Sequence, residues 1–293
     1  WLFYGFQDVD PIATRILNFD PDHLSTRRWF YLTPAKGKPR KLVHQIESNV
    51  LDHLPGTKTI YRSWQDLQTN LRKILDGLPH VAMQYSQKGA IPYVSRVDAG
   101  TVDLVRSLNI QVVSSGDLIQ HFESIWSFRQ LCQHRTVAQQ LTSIALNTFQ
   151  QAASDIHSHG ETDELTLQRF ILEHFKEKKI FTDHPPIVAV NENSAEAHYQ
   201  VSELNNSKIR ENDFVLIDLF GKQMLKNSVY ADITWTAFLG DEPEEEIQQV
   251  FEVICQARDR GVDFLRQRIE SASPIQGWEV DEAVRSVVRK AGY

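Results

Sequence analysis

The chain has 293 residues, of which 41% are hydrophobic and 24% charged, and its formal net charge is −7. This composition is that of an ordinary globular protein, and the length predicts about two domains. The acidic balance argues against a general nucleic-acid-binding protein, which needs a concentrated basic surface. No apolar run approaches the roughly 18 residues that cross a bilayer, and the first residues lack a signal-peptide pattern. We therefore expect no nucleic-acid partner, no membrane span and a cytoplasmic location.

Several common catalytic motifs are absent from the sequence. It contains no GxSxG, GxxxxGK[ST], GxGxxG or HExxH pattern, so serine hydrolase, P-loop, dinucleotide-binding and zincin interpretations have no support. Cys132 and Cys255 lie on helix-like segments without metal-type spacing. We expect them to be buried, reduced thiols rather than a disulfide or a soft-metal site.

Residues 1–126 alternate short apolar runs with helix-like segments, which predicts an α/β domain. Ser63 followed by Asp66 is typical of a helix N-terminus. The predicted strands are 1–6, 29–33, 41–46, 59–62, 81–85 and 110–114, and the predicted helices are 11–17, 64–78 and 101–108.

From Gly116 onward the pattern changes to longer helices, predicted at 116–126, 129–157 and 164–176. We place a domain boundary near Trp126, which gives domains of 1–126 and 127–293.

The stretch 213–239 contains two strand-like runs, each with one carboxylate where a buried strand normally has an apolar residue. The runs are short and rich in β-branched and aromatic residues, and a loop with Gly221 separates them, so we predict a hairpin. Side chains alternate along a strand, so Asp218 and Asp232 become cross-strand neighbours if their faces coincide. Two such carboxylates repel each other unless one is protonated or a cation lies between them. This predicts a metal site; the alternative is that one Asp faces solvent and the other caps a turn.

The order of motifs around this hairpin resembles a known family. Two helices are followed by PPIVAVNENSAEAHY (185–199), VLIDLFGK (215–222), VYADITWT (229–236), an acidic helix and GWEVDEAVRSVVRKAGY (277–293). This order is similar to the first half of the catalytic domain of the creatinase/aminopeptidase superfamily, the pita-bread metallopeptidases. The resemblance implies a creatinase-like α/β N-terminal domain followed by an α+β pita-bread catalytic domain that is incomplete at its C-terminus. The presence of the N-terminal domain favours the Xaa-Pro peptidase branch.

The resemblance also implies roles for individual residues. Asp218 matches an aspartate ligand of one metal ion, and Asp232 matches the aspartate that bridges two ions. His198 matches a histidine that contacts the substrate or the developing tetrahedral intermediate. Thr234 shares a strand face with Asp232 and is a candidate to support the ligands. The implied cofactors are two divalent metal ions, Mn²⁺ before Co²⁺ or Zn²⁺.

Three features depart from the family pattern. Asp218 and Asp232 are separated by 14 positions, which predicts a longer hairpin tip, and Trp235 stands where an Arg is common. The family completes its metal site with one further histidine and two glutamates, but no histidine follows His198. We expect Asp241 to cap the acidic helix, whose glutamates are then structural.

The implied activity is that of a metal-dependent exopeptidase that removes the N-terminal residue from short peptides with proline in the second position. The resemblance also implies a homodimer. Because the ligand set is short, we expect the chain as given to bind metal weakly and to be inactive, as a fragment of a longer protein. Two alternatives are a catalytically dead relative that acts as a protein-binding module and a creatinase-like hydrolase that is not a peptidase.

Overall fold

The computed structural model describes residues 1–7, 9–20 and 25–293. These residues divide into two compact units, Trp1–Trp126 and Ser127–Tyr293. Each unit has its own hydrophobic core. No helix in the described part of the chain combines the length and the apolar character needed to cross a lipid bilayer.

The first unit contains a mixed sheet and a separate pair of parallel strands. In the sheet, β1, β2 and β3 are antiparallel neighbours, and β4 is added in parallel to β3. The sequence predicted strands at all six positions and an alternating α/β pattern, but half of the pairings are antiparallel. The strands are β1 (Leu2–Gly5), β2 (Trp29–Leu32), β3 (Arg40–His44), β4 (Thr57–Tyr61), β5 (His80–Met83) and β6 (Gln111–Ser114).

The helices of the first unit are short and cover these strands. The Ser63 side chain accepts a hydrogen bond from the amide of Asp66, as the sequence predicts for the start of α2. Leu67 and Leu71 of α2 pack in one core cluster with Leu42 of β3. The helices are α1 (Pro11–Ile16), α2 (Trp64–Leu75), α3 (Ala99–Arg106) and α4 (Gly116–Glu123).

The second unit begins with two long helices that back an antiparallel sheet. β11 is the central strand, with β12 on one side and β9 and β8 on the other. A two-residue ladder joins β7 to β10. The elements are α5 (Phe128–His159), β7 (Thr162–Asp163), α6 (Glu164–Glu177), β8 (Ile180–Phe181), β9 (Ile187–Val190), β10 (Lys208–Ile209), β11 (Phe214–Gln223), β12 (Ala231–Phe238), α7 (Glu245–Glu270) and α8 (Gly277–Lys290).

The core of the second unit forms on one face of this sheet. Val215, Ile217 and Leu219 alternate along β11 with half-buried neighbours, and all three are fully buried. They pack with Leu141 of α5 and Ile171 of α6. The alternation follows from the two-residue period of a strand, so the helices cover the odd-numbered face of β11 and leave the even-numbered face open.

The last two helices pack against each other. Gly261 of α7 permits this approach, because a Cβ atom there would lie 2.7 Å from Cγ2 of Val284. The prediction that Asp241 caps this region is wrong: α7 begins at Glu245, and its N-cap position is Glu244, without a side-chain cap. The prediction of buried cysteines is also wrong, since Cys132 is exposed and Cys255 is partly exposed, although both thiols are free.

Candidate metal centre

The register of the hairpin places Asp218 and Asp232 on the same, open face of the sheet. Asp218 pairs with Thr234, and Phe220 pairs with Asp232. The two aspartates are therefore diagonal neighbours, a relation that typically separates Cα atoms by about 7–8 Å. This is within the span of two side chains that share a ligand.

In the described part of the chain, neither carboxylate has a partner of opposite charge. Asp218 is half-buried and Asp232 is exposed. Among the described residues, no hydrogen bond or ion pair involves either side chain. Desolvation, together with the negative charge of Asp218, raises the pKa of Asp232. Two unpaired, mutually repelling carboxylates are the electrostatic arrangement that a bound cation would relieve.

Thr234 and Trp235, which follow Asp232 on β12, lie on opposite faces of the sheet from each other. Thr234 lies directly across from Asp218 and shares its face. Trp235 pairs with Ile217, so it lies on the opposite face from the carboxylates. The side chain at position 235, whether tryptophan or arginine, therefore begins on the helix-covered face of the sheet. The tryptophan does not occupy the space beside the Asp218 carboxylate.

The 14-position interval is accommodated partly by a longer strand. β11 continues to Gln223, where Lys222 and Gln223 pair with Phe181 and Ile180 of β8. Gly221 makes this close approach possible, because a Cβ atom there would lie 2.4 Å from Cγ2 of Ile180. The hairpin tip is then only the segment 224–230.

His198 lies in an exposed turn beyond the short 3-10 helix Asn191–Ala195 that follows β9. Its side chain makes no hydrogen bond, ion pair or ring contact with any described residue. The next residue, Tyr199, is buried and anchors the turn. The imidazole of His198 is therefore exposed to solvent, while the adjacent residue, Tyr199, holds the turn in place.

The anchor of this turn is a buried carboxylate that the sequence analysis did not identify. Glu164, at the start of α6, is completely buried. One of its oxygens accepts hydrogen bonds from the Val190 amide and the Asn193 side chain, each at 2.9 Å. The other accepts from the Tyr199 hydroxyl at 2.7 Å and the Ser207 amide at 2.8 Å. Four donors satisfy the charge, as a buried carboxylate requires.

The start of the 3-10 helix is also tied to the sheet. Asn191 has a positive φ of 48°, a conformation that Asn tolerates better than most residues. Its side chain donates to Asp213 at 2.8 Å and accepts from the Phe214 amide at 2.9 Å. The segment that leads to His198 is therefore held to β11 at one end and to α6 at the other.

A cavity of about 650 Å³ lies on the carboxylate face of the sheet, toward its other end. Phe214, Thr236 and Phe238 form its floor, and these residues share the strand face of Asp218. Asn191 and Ser194 form one rim. The lining also includes an apolar strip of α7, formed by Ile247, Val250, Phe251 and Ile254, and four acidic residues, Glu192, Asp213, Glu244 and Glu246.

The donor set fits a hard divalent cation in type but falls short in number. Carboxylate oxygens are the preferred ligands of such ions, which take about six of them. In the described part of the chain, no group of three or more His, Cys, Asp or Glu residues is placed to hold a metal ion. Asp218 and Asp232 therefore supply only part of the ligand set that such an ion needs.

An antiparallel sheet backed by two helices, with a carboxylate pair on its open face, is the scaffold of a pita-bread metallopeptidase. The sequence model of metallopeptidase family M24 matches residues 134–293, more than half of the chain. The chain belongs to this family, within the creatinase/aminopeptidase superfamily. Family membership places it among the peptidases, which are hydrolases.

Solved structures of similar fold include peptidases with low sequence identity to this chain. A dipeptidase from Pyrococcus horikoshii OT3 has 21% identity and a TM-score of 0.55, over 100% of this chain and 74% of its own. A dipeptidase from Mycobacterium ulcerans has 16% identity and a TM-score of 0.63, over 99% and 71%. X-prolyl aminopeptidase from Caenorhabditis elegans, described as a cytosolic enzyme with a di-nuclear active site, has 15% identity and a TM-score of 0.61, over 99% and 46%. No curated protein sequence matches the chain significantly.

Proposed function

We propose that the protein is a metal-dependent exopeptidase that removes the N-terminal residue from short peptides, with proline as the second residue. The observation that carries this proposal is the unpartnered pair Asp218 and Asp232 on the open sheet face. A carboxylate pair without a cationic neighbour lowers the stability of the fold. A bound metal ion would remove this repulsion, so a metal site explains why the pair is present. The adjacent cavity supplies room for a peptide.

In this proposal each residue has a distinct task. Asp218 and Asp232 hold the divalent ions, which when bound lower the pKa of a water molecule and polarise the scissile carbonyl. Thr234, directly across from Asp218, orients that carboxylate. His198 donates a hydrogen bond to the carbonyl oxygen on which negative charge develops. The buried anchor at Glu164 limits how far the His198 turn can move.

The proposed preference for proline rests on the cavity and on the chemistry of the bond. Proline has no amide N–H and a fixed φ, so its peptide bonds need a dedicated pocket. The floor residues Phe214 and Phe238 and the apolar strip of α7 would bury a pyrrolidine ring. The X-prolyl aminopeptidase of C. elegans shares this fold.

We further propose that residues 1–293 by themselves bind Mn²⁺ weakly and do not turn over substrate, because two carboxylates are too few ligands for two ions. Mn²⁺ is the proposed metal, ahead of Co²⁺ and Zn²⁺. We also propose a cytoplasmic homodimer. In this assignment residues 1–126 are the creatinase-like N-terminal domain, and 127–293 belong to the pita-bread domain.

The test is release of the N-terminal residue from Xaa-Pro peptides in the presence of Mn²⁺. We expect activity only where further histidine and carboxylate ligands complete the site, a loss of at least about a thousandfold when Asp218→Asn or Asp232→Asn is introduced there, and no activity in residues 1–293 by themselves. The matched control Asp241→Asn removes an exposed carboxylate outside the hairpin. Full activity in either hairpin variant would refute the ligand assignment.

A second candidate function is a protein-binding module without catalysis. The small number of metal donors among the described residues favours it. It predicts a protein that neither binds Mn²⁺ nor cleaves peptides. A creatinase-like reaction is the less favoured third option, because the Asp218 and Asp232 pair is retained, and hydrolysis of creatine without metal would reveal it.

A further inference from the structure

A small polar pocket of about 150 Å³ lies between the start of α5 and the tip of the β11–β12 hairpin. We propose that it binds a small oxyanion, a phosphate or carboxylate group, at a site separate from the metal-binding carboxylates. Its lining residues all belong to the second unit and are Ser127, Arg129, Gln130, Gln133, Lys226 and Asn227.

The charge of the pocket is unusual for this protein. The chain has a formal net charge of −7, yet the lining contains Arg129 and Lys226 and no acidic residue. The first turn of α5 has no acidic residue either. Within residues 1–7, 9–20 and 25–293, neither cation forms an ion pair. Two unpaired cations that share a concave site raise the local concentration of anions.

The N-terminus of α5 adds a second positive element. Of the first four amides of this 32-residue helix, that of Gln130 donates to Ser127 Oγ at 3.3 Å and that of Leu131 to the Ser127 carbonyl at 3.0 Å. The amides of Phe128 and Arg129 have no acceptor among the described residues. Free amides and the helix dipole favour an anion here.

An independent observation at the base of the pocket also points to a ligand. Gln133 is only 8% exposed, and it lines the pocket. Its side-chain amide has no hydrogen-bond partner in the part of the chain that the structure describes. Its Nε2 is therefore a free donor at the pocket, and an oxyanion would accept a hydrogen bond from it.

Hydrogen bonds also fix the side of the pocket that the hairpin tip forms. Gln130 Nε2 donates to the Asn227 carbonyl at 3.1 Å, and its Oε1 accepts from the Ser127 amide at 2.9 Å. These bonds tie the hairpin tip to the helix start, so the backbone next to Lys226 is already fixed near the start of α5 before a ligand binds. A site arranged in advance loses less conformational entropy on binding.

The test is calorimetric titration of the chain with sodium phosphate and with sodium acetate, against sodium chloride at equal ionic strength. Saturable binding of either anion is expected, and the anion that binds more tightly identifies the ligand class. Arg129→Ala/Lys226→Ala should weaken binding about tenfold or more, a change of about 1.4 kcal/mol. The control Lys176→Ala removes an exposed cation at the end of α6 and should leave binding unchanged.

Two variants test the role of Gln133 separately from the general charge. Gln133→Leu keeps the volume but removes the donor, and Gln133→Glu keeps the shape but adds a negative charge. Both should weaken binding, the glutamate more, with circular dichroism confirming a folded chain. No saturable binding of either anion would overturn the proposal. Equal affinity in the wild type, the Arg129/Lys226 double variant and Gln133→Glu would also overturn it.

Discussion

The hydroxyl of Tyr199 donates a 2.7 Å hydrogen bond to the carboxylate of Glu164, a side chain with no exposed surface. Burial and this carboxylate raise the pKa of Tyr199 to about 12. The hydroxyl therefore remains a donor throughout the physiological pH range. Because Tyr199 directly follows His198 in the chain, this bond fixes the base of the turn that carries the proposed catalytic imidazole.

Replacing Tyr199 by Phe should destabilise the second unit. The change removes one of four hydrogen bonds to a buried charge, and bonds of this type contribute about 1.5–3 kcal/mol. Urea unfolding at neutral pH measures the loss, with Tyr293→Phe as a control at an exposed tyrosine. Equal stability of Tyr199→Phe and the wild type would show that the bond does not hold the turn.

The same variant tests the pH dependence. Since the pKa of Tyr199 is raised in the folded state, its protonated form stabilises the fold below the unfolded pKa of about 10. This contribution is lost as pH rises from about 10 to about 12. The wild type should therefore lose its advantage over Tyr199→Phe in this range.

Replacing Gly221 by Ala should disturb the junction of β11 and β8. The added Cβ would lie 2.4 Å from Cγ2 of the buried Ile180, and such overpacking costs about 1–3 kcal/mol. Thermal unfolding measures the effect. Gly277→Ala is the matched control, because no atom lies within 4 Å of its Cβ position at the start of α8. Similar melting temperatures for the two variants would contradict the close-approach argument.

Replacing Asp232 by Asn should raise the stability of the metal-free chain. The pKa of Asp232 is raised by desolvation and by the charge of Asp218, so the folded state binds this proton more readily than the unfolded state. The protonated form of Asp232 contributes stability below the unfolded pKa of about 3.9, and this contribution is lost as pH rises through the folded pKa.

At pH 7 in the presence of a chelator, Asp232→Asn should therefore melt at a higher temperature than the wild type. The difference should shrink as pH falls toward 3. Asp241→Asn, at an exposed position outside the hairpin, should change the melting temperature little. A lower melting temperature for Asp232→Asn at pH 7 would contradict the repulsion between the two carboxylates.

Local pattern was sufficient to predict the hairpin. Two short runs rich in β-branched and aromatic residues indicate the strands, and the two-residue period of side chains along a strand places Asp218 and Asp232 on one face once the strands pair. The exact register depends on the tip, so the diagonal relation and the pairing of Asp218 with Thr234 were not predictable from the alternation alone. The metal and catalytic roles of these residues and of His198 remain predictions.

Features that depend on distant partners were not predicted. Glu164 stands in the first turn of α6, where acidic residues are common, but its donors come from residues 26 to 43 positions away. β8 and β9 are too short to show a period, and they form because each pairs with the edge of β11 that β12 leaves free. The cap of α7 was misplaced, since Asp241 precedes the helix by several residues.

The most direct test of the metal centre is calorimetric titration of residues 1–293 with Mn²⁺. We expect weak binding, with a dissociation constant of about a millimolar, that disappears in Asp218→Asn and in Asp232→Asn and persists in Asp241→Asn. Tight binding at two sites would contradict the proposed weak, partial centre, and binding that survives both hairpin substitutions would show that Asp218 and Asp232 are not the ligands.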